Sequence, residues 1–158
     1  PRTVVSVLSG PEPQRTMLEE RLLAQLTHLP GRHLLVRGKP ATRGERQFGN
    51  VHITDHLNAT DLRNALRGAE LIVSRSGYTT LMDLAMLGRS ALIVPTPGQP
   101  EQEHLARLHQ RTGRFLVQHQ HALDIGAALG RTMAPATPHA SGPALERALQ
   151  ELAALLQR

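Results

Sequence analysis

Cysteine is absent from all 158 residues, which excludes disulfides and thiolate-held metal sites. It also fits a reducing cytoplasm. Aromatic residues are nearly absent: Phe48, Tyr78 and Phe115 are the full set. The core must therefore be built from Leu, Val, Ile and Ala. Proteins that stack nucleic-acid bases on ring platforms need more rings than this. Lys39 is the only lysine, so the net charge of +5 rests on arginine. Arginine forks suit phosphate and carboxylate groups. The arginines are scattered rather than run together, so no nucleic-acid-binding tail is expected. No apolar stretch approaches the roughly 20 residues needed to span a bilayer. No leader pattern is visible. The chain starts with Pro1, and the expectation is an excised piece of a longer protein.

What is present reads as one globular domain. Apolar residues make up 40% and charged residues 20%, which is outside the disordered range. Short apolar runs at residues 3–8 (TVVSVL), 33–37, 51–54, 71–74, 91–95 and 114–117 are strand candidates. Several are continuous apolar runs, as strands of a parallel sheet covered on both faces are. Leu18, Leu22, Leu26 and Leu29 recur at helical spacing, as do Leu62, Ala65 and Leu66 behind Asn58 or Thr60. Leu81, Leu84, Ala85 and Gly88 share a face of a third helix, and residues 101–110 and 123–133 carry two more. Strand–helix alternation predicts a doubly wound, Rossmann-like α/β fold: about six parallel strands with helices on both faces. The domain is read as residues 1–133, followed by a proline-rich linker at 134–143 and a final helix at 144–158 packing back on it.

In such folds ligands bind at the carboxyl ends of the strands. Three strand-to-helix loops therefore matter. The first holds Ser9, Gly10 and Arg15. A glycine there lets backbone approach a ligand, a helix start offers free N–H groups, and Arg15 adds charge. The pattern is not a dinucleotide fingerprint, because G-x-G-x-x-G is absent. The second, strongest loop is Arg75-Ser76-Gly77-Tyr78-Thr79-Thr80. Small and hydroxyl residues meet a helix N-terminus there, which is how folds hold a diphosphate. Ser76 also suits a simple N-cap. A cap accounts less well for Thr79, Thr80 and Asp83 falling on the same side at about 100° per residue. Asp83, two turns on, is placed to accept ribose hydroxyls. The third loop carries Gln99, Gln102 and Glu103 before a helix. Amides and carboxylates suit sugar hydroxyls, and the acids equally complement a helix dipole.

The nine histidines form no H-E-x-x-H pattern or carboxylate-linked cluster, so no metal is expected. No G-x-S-x-G or nucleophile–base pair is visible, and no catalytic residue is assigned.

Residues 69–77 (AELIVSRSG), then Asp83-Leu84-Ala85, Leu87-Gly88, Ala91-Leu92-Ile93-Val94-Pro95 and Glu101-Gln102-Glu103-His104-Leu105-Ala106 together resemble a known signature. It is that of the C-terminal donor domain of family 28 glycosyltransferases, the family of the bacterial peptidoglycan N-acetylglucosaminyl transferase, which have the two-domain GT-B fold. The resemblance implies a domain that binds a UDP-sugar as substrate, with no cofactor, in an inverting hexosyl transfer. It implies that Ser76, Gly77 and the following helix start hold the diphosphate, that backbone near Leu57 reads uracil, and that Asp83 stands where the family uses a glutamate on ribose. Gln102 matches the first of two sugar-contacting glutamines and Glu103 replaces the second. Glu70 stands for a more usual aspartate, and Ser9-Gly10-Pro11 replaces a more glycine-rich loop. Acceptor binding and the general base belong to the missing N-terminal domain, so this half is expected to be inert alone. Any membrane contact, at the inner face, would come through that half. Alternatives are a non-catalytic nucleotide-sugar-binding subunit completed by a partner chain, and a sugar-nucleotide epimerase of the same architecture.

Overall fold

The structure is a computed structural model, and it describes residues 3–131. The linker and the final helix expected beyond residue 133 lie outside the described residues.

Strands β1 (Val4–Val7), β2 (His33–Val36), β3 (Glu45–Phe48), β4 (Val51–Thr54), β5 (Leu71–Ser74), β6 (Leu92–Ile93) and β7 (Leu116–Val117) form one sheet. Its order is β3-β4-β2-β1-β5-β6-β7. Every pairing is parallel except β3 with β4. The six parallel strands sit where the apolar runs predict. The seventh, β3, was not anticipated. All four of its residues are exposed, so it lacks the apolar alternation that marks a strand. It is a hairpin arm on the sheet edge, joined to β4 through Gly49 at φ +57 and Asn50. Charged Glu45 and Arg46 on this arm suit an edge that must not recruit further strands.

Helices α1 (Gln14–Leu26), α2 (Ala59–Gly68), α3 (Tyr78–Met86), α4 (Pro100–Thr112) and α5 (Ile125–Gly130) cover both faces. Successive strand residues point to opposite faces, and the core divides accordingly. Val4, Leu71, Val73 and Leu92 pack with Leu18, Leu22 and Leu26 of α1 and with Ile125, Ala128 and Leu129 of α5. Val5, Ile72 and Ile93 pack with Leu66 of α2, Leu81 and Leu84 of α3 and Leu105 of α4. Each fully buried leucine contributes about 1.5–3 kcal/mol. The helix repeat read from the sequence is thus the repeat that fills the core. Gly88 belongs to no helix face: it follows α3 with φ +65 and ends it.

The strand order reverses between β1 and β5. Connections leave in opposite directions there and open a crevice at the carboxyl edge. Gly38, just past β2, is packed against the loop that leaves β1. A Cβ on Gly38 would lie 2.2 Å from the Leu8 carbonyl oxygen, and its φ is +68. Gly38→Ala is therefore expected to cost about 2 kcal/mol or more, by clash and by strain, read as a lowered urea midpoint.

His109 of α4 is 1% exposed. Its ring meets Phe115 edge-on at 5.0 Å, and neither ring nitrogen has a partner. Burial first, and the nearby Arg114 charge second, push its pKa down to about 4 from 6.5. The unfolded imidazole takes a proton near 6.5 and the folded one waits until about 4. Stability is therefore full above that window and falls as pH drops through it, by up to about 1.4 kcal/mol per pH unit. His109→Leu should flatten the urea-midpoint profile between pH 6.5 and 4.5 relative to the unsubstituted chain.

Candidate functional site

Three helices begin around the crevice, and none is capped by the side chain of the residue before it. Pro13 precedes α1, Gly77 precedes α3 and Gln99 precedes α4, each without a side-chain cap hydrogen bond. Elsewhere the usual chemistry is present: Asn58 accepts from Asp61 N–H at α2, and Asp124 from Ala127 N–H at α5. A helix N-terminus leaves up to four N–H groups without intrahelical partners and carries the positive end of the dipole. At α1 the Glu12 carboxylate takes the Thr16 N–H at 3.2 Å, and Glu101 and Glu103 lie in the first turn of α4, so the α3 start, with no acid in its first turn, is the open electropositive end on this rim.

The loop after β1 places Ser9 and Gly10 at the surface. Gly10 has φ +97, and a Cβ there would sit 3.5 Å from Thr96 Oγ1. The loops after β1 and β6 therefore meet above the end of β5. Arg15 does not offer the free charge expected of it. It is 5% exposed and donates to Glu12 and, at 3.3 Å, to Glu19 and the Arg37 carbonyl. Arg37 in turn reaches Glu19 at 3.0 Å and Asp55 at 3.2 Å. The Thr42 hydroxyl, the Gly44 N–H and Arg37 hold the Asp55 carboxyl below its usual range. Arg15 is thus neutralised inside a carboxylate–guanidinium network that fastens α1 to the ends of β2 and β4.

Arg75 is turned inward. It is 0% exposed. One terminal nitrogen donates to the Val94 and Pro95 carbonyls at 3.3 and 3.4 Å, the other to the Gln14 carbonyl at 3.0 Å. Burial pulls its pKa down to about 10. Ser76 is also buried and donates to the Gln102 carbonyl at 2.8 Å. It neither caps α3 nor shares the open face of Thr79 and Asp83, contrary to the helical-wheel reading. It ties the start of α3 to the first turn of α4.

Gln102 accepts from Thr96 N–H at 2.9 Å and donates to Gln99 Oε1 at 3.0 Å. These bonds use one lone pair and one N–H of the amide, and each end keeps one more. Gln99 and Gln102 are thus brought together beside Ser76. Glu103 is half-buried and faces away, into a groove of ≈ 300 Å³ with Pro95, Arg107 and His119. Gly77 has open space where a Cβ would be, so backbone at the α3 start is approachable. Thr79 is exposed, Thr80 half-buried and Asp83 exposed; Tyr78 is the first residue of α3.

Asp83 lines a groove of ≈ 500 Å³ between α2 and α3, with Ala59, Leu62, Arg63 and Arg67 opposite. Leu57, half-buried, lies two residues before α2, whose Ala59 lines that groove. Sequence reasoning missed Thr96, whose buried Oγ1 has no partner. It sits in the third candidate loop, but flanked by Pro95 and Pro97 it reads from sequence as turn chemistry rather than as a ligand group. Among the described residues no cluster of three or more metal-ligating side chains occurs. None of the described helices is long and apolar enough to cross a membrane.

Comparison with known proteins bears on this geometry. The sequence matches the profile of the Glycosyltransferase family 28 C-terminal domain over residues 11–149. UDP-N-acetylglucosamine--N-acetylmuramyl-(pentapeptide) pyrophosphoryl-undecaprenol N-acetylglucosamine transferase of Acetivibrio thermocellus is 34% identical over 76 residues, 47% of this chain and 20% of that protein. The transferase of the same name from Rhodopseudomonas palustris is 45% identical over 47 residues, 30% of this chain and 13% of that one. The chain thus aligns with a fifth or less of the length of these curated relatives. The structure of Acinetobacter baumannii MurG superposes with a TM-score of 0.64 at 17% identity, over 98% of this chain and 50% of that one. The glycosyltransferase SnogD from Streptomyces nogalater gives 0.65 at 15% identity, over 96% and 39%. The NMR structure of ALG13 gives 0.58 at 14% identity, over 94% of both chains. At these identities the superpositions speak to the fold, one half of a GT-B glycosyltransferase. With most of its length inside one family profile, on that fold, the chain belongs to the family 28 glycosyltransferase C-terminal domains.

Proposed function

We propose that this domain binds the UDP-sugar donor of an inverting glycosyltransferase and stabilises the departing nucleoside diphosphate. The observation that carries the reading is the uncapped start of α3 at the topological switch, with the Asp83 groove beside it. Backbone N–H groups from Gly77 onward would take the diphosphate, helped by the dipole. Asp83 would accept ribose hydroxyls, and backbone near Leu57 would meet the base. Gln102, oriented by Thr96 and Gln99, would present its remaining N–H and lone pair to the donor sugar. Charge that develops on the diphosphate as the anomeric carbon is attacked meets dipoles already in place, which is the economical way to lower such a barrier. The acceptor and the base that deprotonates it would come from another domain.

A second reading is favoured by one observation. ALG13 is matched over 94% of its own length, so this architecture exists as a chain of about this size. A donor-binding subunit completed by a partner chain is then the alternative to one half of a single polypeptide. Glycosyl transfer assayed with the chain alone and with the flanking coding sequence restored separates the two.

Isothermal titration tests the donor site. The chain should bind UDP at micromolar to millimolar concentration. Asp83→Ala should weaken binding about tenfold, the worth of a charge-assisted hydrogen bond, without lowering the urea midpoint, since Asp83 is exposed. An unchanged affinity would remove the ribose assignment, and no heat with UDP at millimolar concentration would remove the uridine reading itself.

A further inference from the structure

Arg75 presents a charge that its surroundings do not explain. Its side chain is wholly enclosed. Its two terminal nitrogens reach only backbone carbonyls, and its Nε has no partner. Among the described residues no carboxylate pairs with it. Glu12, just before α1, is taken by Arg15 and the Thr16 N–H, and Glu19, within α1, by Arg15 and Arg37. A buried cation without a counterion costs several kcal/mol. Its placement adds to that cost. Gln14, whose carbonyl it grips, is the first residue of α1, so the guanidinium sits beside the positive end of a helix dipole, a like-sign arrangement. Three carbonyls explain why a donor is wanted there. They do not explain why that donor is a permanent cation. Thr96 Oγ1, buried under the same pair of loops, also lacks a partner. The guanidinium behind the crevice therefore carries a positive charge that no described side chain balances.

We infer that Arg75 is a positioning residue whose buried charge is balanced by a polyanionic diphosphate bound at the start of α3, which it attracts through the protein without touching it. The inference deepens the donor-site reading and rests on it only for the location of the anion. Arg75 is wholly enclosed, and charge inside protein is screened far less than in water. The guanidinium would also hold the loops after β1, β5 and β6 in register, so that the N–H groups around the anion are preset.

The test measures binding of inorganic pyrophosphate, UDP and uridine to the chain and to Arg75→Gln, by titration calorimetry, with circular dichroism to check the fold. The expected result is a loss of about tenfold or more for pyrophosphate and for UDP, and an unchanged affinity for neutral uridine. Equal losses for all three, or unchanged pyrophosphate binding, overturn the inference. If Arg75→Gln does not fold, Arg75→Lys decides. A lysine in that enclosed position sheds its charge as pH rises, so its pyrophosphate affinity relative to the unsubstituted chain should fall between pH 6.5 and 9.5. A ratio that stays flat overturns the proposal. Pyrophosphate binding that depends on Arg75 while uridine and UDP show no nucleoside preference would sink the uridine reading and leave this one standing. No pyrophosphate binding by the unsubstituted chain sinks the inference directly.

Discussion

The Arg75 guanidinium joins three segments that arrive from far apart in the chain. It leaves the end of β5, meets the carbonyls that close β6, and grips the first turn of α1. Strands β1, β5 and β6 are consecutive in the sheet, so one side chain locks the loops on both sides of the switch point. Everything proposed for the crevice depends on those loops holding one geometry. A flexible aliphatic strut would hold them less well, because a planar fork fixes direction as well as distance.

A second layer of bonds refines what Arg75 sets. Ser76 fastens the start of α3 to the first turn of α4, and Gln102 reaches back to Thr96 in the loop before α4. Each such bond is worth about 1 kcal/mol net. Their larger effect is to leave the N–H groups at the α3 start unshared with a capping side chain. Serine and glutamine, read from the sequence as ligand-facing, act partly as struts. The two roles are compatible for Gln102, which retains capacity at both ends of its amide. Ser76 is enclosed, with its one hydroxyl proton given to the Gln102 carbonyl; the backbone beside it is the approachable part.

The parallel strands and the order of elements were legible because a strand buried on both faces must be apolar at every position. The sheet edge was not. Glu45, Arg46, Gln47 and Phe48 are all exposed, so no burial requirement shaped their pattern. The location of the candidate site was legible in the glycine and hydroxyl residues after β5. The direction of the arginines was not. Arg15, Glu19, Arg37 and Asp55 come together across separations of 4 and 18 residues, and only the i to i+4 member of that set follows from helix geometry. An arginine beside a crevice reads from sequence as a ligand partner whether it faces outward or inward. What decides between them is which carbonyls end up within reach, and that is a property of the assembled sheet.

The exposure of the crevice carries the last step. Ser9, Gly10, Pro97 and Gly98 are all exposed, as are Thr79 and Asp83. Small-molecule sites commonly bury 70–90% of a ligand's surface, and a rim this open walls the crevice from one side. A nucleotide bound here would leave its sugar end uncovered by the described residues, and a reactive anomeric carbon left in water favours hydrolysis over transfer. On the proposed reading the α3 start would fix the leaving group, which is half of what a transferase needs. Shielding the sugar and bringing up an acceptor would then demand a second surface over β1, β5 and β6. That demand follows from the geometry of this domain, whether the covering surface belongs to the same polypeptide or to another.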